Sequence, residues 1–509
     1  MIDGIKDKIN YMARFKMHTT IKKEKQRMSQ ATSFLEWKDA AQTLDSMQHN
    51  DAWKDNIASD VYNYELISDR LCLLREHKQN GDLTALYRDI REGLHHDLGN
   101  MGDIRLYNQC YYGTKTLIEE YVEEVCDCLS YLCDRQTSDM PSNKKLDFFK
   151  DVLLSFGRPA LLLSGGASLG VFHIGVVKAL WEHGLLPDVV TGSSAGSIIA
   201  AALGTHTDDE LPSLFDPNTH NMKAWKWMGL LNGIKGKGFM DQRQLQDYIR
   251  SYVGEYTMQE AYEKTGRSIN ITVSPVQAHQ KARLLSGYTS PYMLTWSASL
   301  ASCAVPGIFP PVKLLKKDEH GHNVPYMPRL RWVDGSMVSD LPIERLMHLY
   351  DVNYSIVSQT NPHVVPLLER TKGLSSNRFL KLPLALVKAE AKFHGQAVSD
   401  YIRTHTKSEM LRQVSGHAYS MMSQNYYGDV TVAPNYKLGH YMKLLSNPDT
   451  KFMKELMLQG ERATWPKLAM IRTHSKISKT LESCISRLKT DVRTHRGSLS
   501  LIDDHKAIR

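Results

Sequence analysis

The stretch Asp188–Gly204 constrains this chain most. A short β-branched run, Val189–Val190–Thr191, ends in Gly192–Ser193–Ser194–Ala195–Gly196 and passes straight into small and apolar helix formers. Gly192, Ser194 and Gly196 fit G-x-S-x-G, a sharp strand-to-helix turn that holds a serine hydroxyl out of a sheet. Such an elbow costs roughly 1–3 kcal/mol of local backbone strain. Side chains at the flanking glycines would collide with the neighbouring strand and helix. Ala195, Ser197, Ala200 and Ala201 keep the helix side small as well. The motif alone is common, and a glycine turn carrying a chance serine reads the same way. The strand-turn-helix context favours the elbow, and the serine's partners decide the matter.

A serine hydroxyl is a poor nucleophile at neutral pH. It needs a base within reach and donors for the developing oxyanion. Gly165–Gly166–Ala167–Ser168–Leu169–Gly170 bends after the apolar run Ala160–Leu163 and opens a helix over Val171–His183. Such a loop aims backbone N–H groups, backed by the helix macrodipole, at one point. The rival reading is a dinucleotide fingerprint. Against it, Ala167 stands at a required glycine, and no acidic residue closes the next strand at the ribose-binding spacing, since Glu182 is in the helix and Asp188 precedes the strand. The β-loop-α-β-elbow-α order is an α/β pattern with a parallel sheet. Right-handed crossover then puts both loops at the carboxyl ends of neighbouring strands, so the glycine loop and Ser194 are expected to meet. The base is expected at Asp334, in Val333–Asp334–Gly335–Ser336. A lone Asp-Gly more often closes a turn; the elbow and glycine loop upstream change that weighting.

The 509 residues exceed one ordinary domain. A formal net charge of +8 favours anionic surfaces. No RNA-binding signature, zinc-finger spacing or basic zipper accompanies it, so nucleic acid is not expected. Seven cysteines, an odd number, make no disulfide framework. Cys126, Cys128 and Cys133 read as buried reduced thiols, which implies a reducing, cytoplasmic compartment. Met1–Thr20 has no apolar core or small-residue cleavage site, and no signal peptide is expected. Pro159–Leu180, the most apolar stretch, is broken by glycines and by Ser164, Ser168 and His173. It is too short between breaks to span a bilayer, so membrane contact is expected to be peripheral.

Residues 1–32 read as a basic polar segment, either a solvated helix or one lying on a membrane. Residues 33–156 carry helix-period apolar positions over Tyr64–His77, Leu83–Leu94, Thr116–Cys133 and Leu146–Phe156, with Asp82 and Ser142 as expected N-caps. Trp37, Trp53, Tyr62 and Tyr64 supply bulk for a helical core. Thr205–Gly238 is irregular; Trp225, Trp227, Met228, Leu230 and Leu231 interleave with Lys223, Lys226, Lys235 and Lys237. That mixture suits a buried anchor or an interfacial patch. Helices are expected at Gln242–Val253, Met258–Lys264 and Leu294–Ala301, and strands at Ser268–Ser274, Arg283–Ser286, Arg331–Val333, Tyr354–Ser358 and Gly428–Val432. Beyond Pro366 the chain reads as mostly helical, with one long amphipathic segment from Asn447 to about Leu488 and a basic tail.

Gly165–Gly170, Gly192–Gly196 and Asp334–Gly335, in that order, together with the Ala301–Pro311 loop, resemble the patatin-like phospholipase family over about Pro159–Asn361. Leu106–Tyr107–Asn108 and Gly113–Thr114–Lys115 resemble the helical domain that precedes the patatin domain in plant and yeast triacylglycerol lipases. The resemblance implies a three-layer α/β/α sandwich with a mainly parallel sheet, preceded by a helical domain and followed by C-terminal helices. The expected parts are 1–32, 33–156, a catalytic domain over 157–370, and a region over 371–509 that completes it. The resemblance further implies a Ser194–Asp334 dyad in place of a triad, with the N–H groups of Gly166 and Ala167 as oxyanion donors. Two departures stand out: Ala167 replaces a loop glycine, and Ser336 stands where the family has glycine or alanine, within reach to tune Asp334. Of the histidines after Asp334, His363, His394, His405, His417 and His440, none lies in a motif that brings it to the elbow. His173 reads as a packing residue, and Asn361–Pro362–His363 as a possible border of the pocket. No cofactor or metal is implied. The expected substrate is a lipid ester, triacylglycerol first and phospholipid next, met at a membrane or lipid-droplet surface. Transacylation and a non-enzymatic lipid-surface protein are the alternatives.

Overall fold

The computed structural model describes residues 2–135, 140–219, 223–229, 239–277, 280–366 and 426–506. Contacts divide the chain into two compact units: 1–159 with 464–509, and 160–463. The expectations for Leu230, Leu231, Lys235 and Lys237, for His394, His405 and His417, and for most of the helical stretch after Pro366 lie outside the described residues.

The first unit is helical. Its helices include Ile2–Gln30, Phe34–Met47, Tyr64–Asn80, Leu83–Gly93, Thr116–Asp134, Ser142–Phe156 and Leu468–Lys506. Capping side chains set their starts. Ser33 accepts from the Glu36 N–H, Asn63 from Leu66 and Asp82 from Ala85, which satisfies orphan donors of each first turn. Pro141, not Ser142, occupies the cap position of the next helix. Helix Thr116–Asp134 buries Leu117, Tyr121, Val125, Cys128 and Leu132 along one stripe, the period of a helix with a single core face. Trp37 and Tyr62 are buried, and Trp37 lies 6.3 Å from Trp465 between ring centroids.

Residues 371–509 do not form one unit. The expected single segment from Asn447 to Leu488 breaks at Trp465–Pro466–Lys467, a 3-10 turn between helices Thr450–Thr464 and Leu468–Lys506. Proline lacks the N–H that a continuous helix needs there. The later helix packs with the N-terminal helices: the Cys133 thiol points to the Cys484 carbonyl, and the Cys484 thiol to that of Leu129.

Among the described residues, the second unit is built on a seven-stranded sheet. Its strands are β1 (Arg158–Leu163), β2 (Val189–Gly192), β3 (Ser268–Pro275), β4 (Arg283–Ser286), β7 (Trp332–Asp334), β8 (Val352–Ser358) and β9 (Val430–Val432); β5 (Leu315–Lys317) and β6 (Asn323–Pro325) pair separately. The order is β4-β3-β2-β1-β8-β9, with β7 also on β3. β1, β2 and β3 run parallel, as do β8 and β9, while β4 and β7 are antiparallel to β3. Ala160 and Leu162 of β1 pack with Leu346 and Tyr350 of helix Ile343–Tyr350. On the other face Ile269, Ile271 and Val273 pack with Ala201 of helix Ala195–Thr205 and with Leu245, Ile249 and Leu300. Helices thus cover both faces, as a buried parallel sheet requires.

Candidate active site

Strand register builds the site. Leu163 at the end of β1 lies beside Gly192 at the end of β2, and Gly192 lies beside Ile271 of β3. β3 runs on past the end of β2, and its Val273 pairs with Asp334 of β7. The glycine loop and the elbow therefore emerge at one sheet end, as the parallel topology requires, and antiparallel β7 brings Asp334 beside the extension of β3 past them.

The elbow is strained where expected. Ser194 has φ 50° and ψ −123°, a backbone conformation that L residues rarely adopt. Close approach explains its glycines. A Cβ on Gly192 would stand 2.3 Å from the Gly196 carbonyl oxygen, and one on Gly196 2.2 Å from that of Leu163. The glycine loop lies directly on the elbow, since a Cβ on Gly170 would stand 2.6 Å from that of Ala195. On Gly165 it would stand 3.4 Å from the Ser194 Cβ. Gly335 turns β7 over the sheet, where a Cβ would meet the Thr272 backbone at 2.4 Å.

Ser194 and Asp334 are both buried. Asp334 Oδ1 accepts the Ser336 N–H at 2.8 Å. Oδ2 is enclosed, with no partner in hydrogen-bond geometry among the described residues. Burial pushes the Asp334 carboxyl up to about 6, against the Ser336 amide and hydroxyl and the Ser194 hydroxyl, which favour its ionised form. The expected tuning by Ser336 is therefore present. No hydrogen bond between the Ser194 and Asp334 side chains is present among the described residues, although the Ser194 hydroxyl is near enough to favour the ionised carboxylate. The N–H groups of Gly166 and Ala167 meet no acceptor among the described residues. Ala167 has φ 49°, so the departure from glycine keeps a glycine-like backbone.

A cavity opens from Ser194. Its wall is apolar, with Ile198, Leu245, Tyr248, Ile308 and Phe309 among its lining residues. Among the described residues no group of His, Cys, Asp and Glu has the arrangement of a metal site.

Three residues of this site escaped the sequence reading. Asp340 accepts from the Gly165 N–H at 3.1 Å and from the Asn361 amide at 2.5 Å. Burial, with Asp334 nearby, pushes its carboxyl up to about 7. Ser302 Oγ accepts the Ser194 backbone N–H at 2.9 Å, bracing the strained residue. Cys303 lines the cavity beside Ser194, and burial holds its thiol far above the ordinary range and neutral. Ser302 and Cys303 lie in the Ala301–Pro311 loop that carried part of the resemblance, and Asn361 was expected as a border of the pocket because it follows a sheet strand.

The histidines stand apart. His173 is fully buried; its Nδ1 meets Ser358 Oγ at 2.7 Å, its Nε2 meets the Ser164 carbonyl at 3.0 Å, and burial pushes its pKa down to about 4. It packs the glycine loop from behind. His440 faces Glu455 at 3.5 Å and Tyr436, and His363 lies beside Tyr426. No hydrogen bond among the described residues joins a histidine to Ser194 or Asp334.

Two family models match the chain: a patatin-like phospholipase model over residues 161–347, and a domain of unknown function (DUF3336) over residues 14–153. Triacylglycerol lipase SDP1L of Arabidopsis thaliana is 35% identical over 490 residues, 92% of this chain and 59% of that one. Triacylglycerol lipase 4 of Saccharomyces cerevisiae is 34% identical over 90% of this chain and 52% of its own. Triacylglycerol lipase ptl3 of Schizosaccharomyces pombe is 32% identical over 91% of this chain and 97% of its own. The chain thus spans little more than half the length of the plant and budding-yeast relatives and nearly all of the fission-yeast one.

Proposed function

This chain belongs to the patatin-like phospholipase family, and on that premise we propose that it hydrolyses fatty acyl esters of acylglycerols, with triacylglycerol as the first substrate class, through Ser194 and Asp334. The observation that carries the proposal is a convergence. A strained buried serine lines an apolar cavity together with Ala167; its hydroxyl favours the ionised form of a carboxylate that burial raises to about 6, and the Gly166 and Ala167 amides meet no acceptor among the described residues.

The chemistry follows from those positions. Ionised Asp334 takes the Ser194 proton as Oγ attacks the ester carbonyl. A base with a pKa near 6 is mostly ionised at neutral pH and still strong enough to accept the proton. The carbonyl oxygen becomes an oxyanion and receives hydrogen bonds from Gly166 and Ala167. Such donors are worth about 10²–10³ each in turnover. The intermediate collapses by breaking the C–O bond to glycerol. Asp334 returns the proton to the leaving alcohol, and an acyl-serine remains. Water then enters; Asp334 takes one of its protons, and the hydroxide adds to the acyl carbon. Collapse releases the fatty acid, and Ser194 recovers its proton.

The apolar wall suits an acyl chain, since each buried methylene is worth about 0.8 kcal/mol. The substrate sits in a lipid phase, and among the described residues no helix is long and apolar enough to cross a membrane. We therefore place the protein peripherally on a membrane or lipid-droplet surface during turnover. The test is fatty-acid release from a lipid panel, run beside active-site labelling with a fluorophosphonate. Wild type is expected to release fatty acid from triacylglycerol and to take the label, and Ser194→Ala to do neither. Undiminished hydrolysis by Ser194→Ala, or a wild type that takes no label, would overturn the proposal.

A further inference from the structure

The rim of the cavity carries an apolar patch that the chemistry does not use. Two segments form it. The first is Trp225–Met228, where Trp225 lines the cavity while Trp227 and Met228 are 58% and 44% exposed. The second is Leu438–Leu445. Its short helix Leu438–Met442 leaves Leu438 81% and Met442 83% exposed, and Leu445 reaches the cavity. Large apolar side chains this exposed, clustered at the mouth of a greasy cavity, mark an interaction face.

The patch is rigidly tied to the site. Asn447 clamps the two segments: its Oδ1 accepts the Trp225 N–H and its Nδ2 donates to the Trp225 carbonyl, both at 2.8 Å. Trp227 stacks on Phe239, whose N–H donates to the carbonyl of Ile308 in the cavity wall. Ser168 of the glycine loop donates its N–H to the Leu444 carbonyl and its hydroxyl to that of Ser446. The patch therefore stands at a set distance from Ser194.

Cations flank the apolar tips. Lys223 and Lys437 are exposed and form no ion pair among the described residues. Lys226 and Lys443 are held loosely, at 3.5 Å from Asp241 and 3.9 Å from Asp449. Aromatic and aliphatic tips on segments that also carry exposed lysines match the boundary between anionic headgroups and acyl chains. A protein partner with an acidic rim would meet the same charges, but the patch opens onto a cavity shaped for acyl chains, which favours lipid.

We propose that Trp227, Met228, Leu438 and Met442, with Lys223, Lys226, Lys437 and Lys443 beside them in sequence, form the face that docks on an anionic phospholipid surface and hands acyl chains to the cavity. The hand-over rests on the hydrolase reading; the docking does not. The test is flotation with vesicles of phosphatidylcholine, with and without phosphatidylserine, beside hydrolysis of a short-chain, water-soluble ester. Wild type is expected to float more strongly with phosphatidylserine present. The pair Leu438→Ser with Met442→Ser is expected to weaken flotation at least about tenfold while the soluble ester turns over as in wild type. Lys223→Glu with Lys437→Glu is expected to remove the preference for phosphatidylserine. A wild type that does not float, or variants that float as wild type does, would overturn the docking face. Vesicle binding without ester cleavage would instead overturn the hydrolase reading and leave the face standing.

Discussion

Asp340 Oδ1 accepts the backbone N–H of Gly165 at 3.1 Å, so a buried carboxylate grips the glycine loop at its first residue. Its Oδ2 accepts from the Asn361 amide, and its own backbone carbonyl accepts the Ser193 hydroxyl at 2.7 Å. One residue thus ties the loop of proposed oxyanion donors to the strand end that presents Ser194. Asp340 touches neither Ser194 nor Asp334 through a hydrogen bond, and we assign it a positioning role.

Asp340→Ala is expected to lower kcat about a hundredfold with little change in KM, because loosened donors fail the transition state more than the ground state. Asp340→Asn keeps an acceptor for Gly165 and is expected to recover part of the loss. Steady-state kinetics on one soluble ester checks both, and an equal loss in the two variants would refute the positioning role.

Activity and stability are expected to respond to pH in opposite directions. Ionised Asp334 is the active base, so kcat/KM is expected to rise through about pH 6 and level off above it. Between about pH 4 and 6 the folded Asp334 holds a proton that the unfolded chain has released. Stability therefore falls as pH rises across that window. Asp340, raised to about 7, extends the loss to that pH. Asp334→Asn is expected to be inactive yet to melt higher than wild type at pH 8, with the difference shrinking towards pH 4. Thermal melts across the range check the sign.

Ser194→Gly is expected to be inactive and more stable than Ser194→Ala by about 1 kcal/mol, because glycine alone adopts φ 50° and ψ −123° without a Cβ penalty. Urea unfolding of the two variants measures the difference.

Gly170→Val is expected to lose both stability and activity, since its Cβ would stand 2.6 Å from that of Ala195 and force the glycine loop off the elbow. Gly196→Val meets the Leu163 backbone. A loss of roughly 1–3 kcal/mol is expected there, read by the same unfolding experiment.

Ile198→Phe narrows the cavity next to the elbow. It is expected to lower kcat/KM for long acyl chains about tenfold relative to short ones, by denying burial to a methylene or two. A chain-length series of esters checks this.

The chain's local chemistry was legible without coordinates. The elbow, the glycine loop and the Asp-Gly after a strand are short-range devices: each needs particular residues within a few positions, because backbone strain and close approach act over those distances. The order of apolar runs then set the parallel sheet, since right-handed crossover leaves little choice. Asp340 was hidden for the opposite reason. In Ser339–Asp340–Leu341–Pro342 it looks like a solvated turn acid, and the Gly165 and Asn361 partners of its carboxylate lie 175 and 21 residues away in sequence. The docking rim is likewise assembled from segments 222 residues apart, joined through Asn447. The C-terminal helix carries an apolar stripe that any core would accept, and only packing put it with the N-terminal helices. Sequence by itself determined what each segment can do alone; the fold decided which groups meet, because burial and hydrogen bonding act through space between residues that no local pattern links.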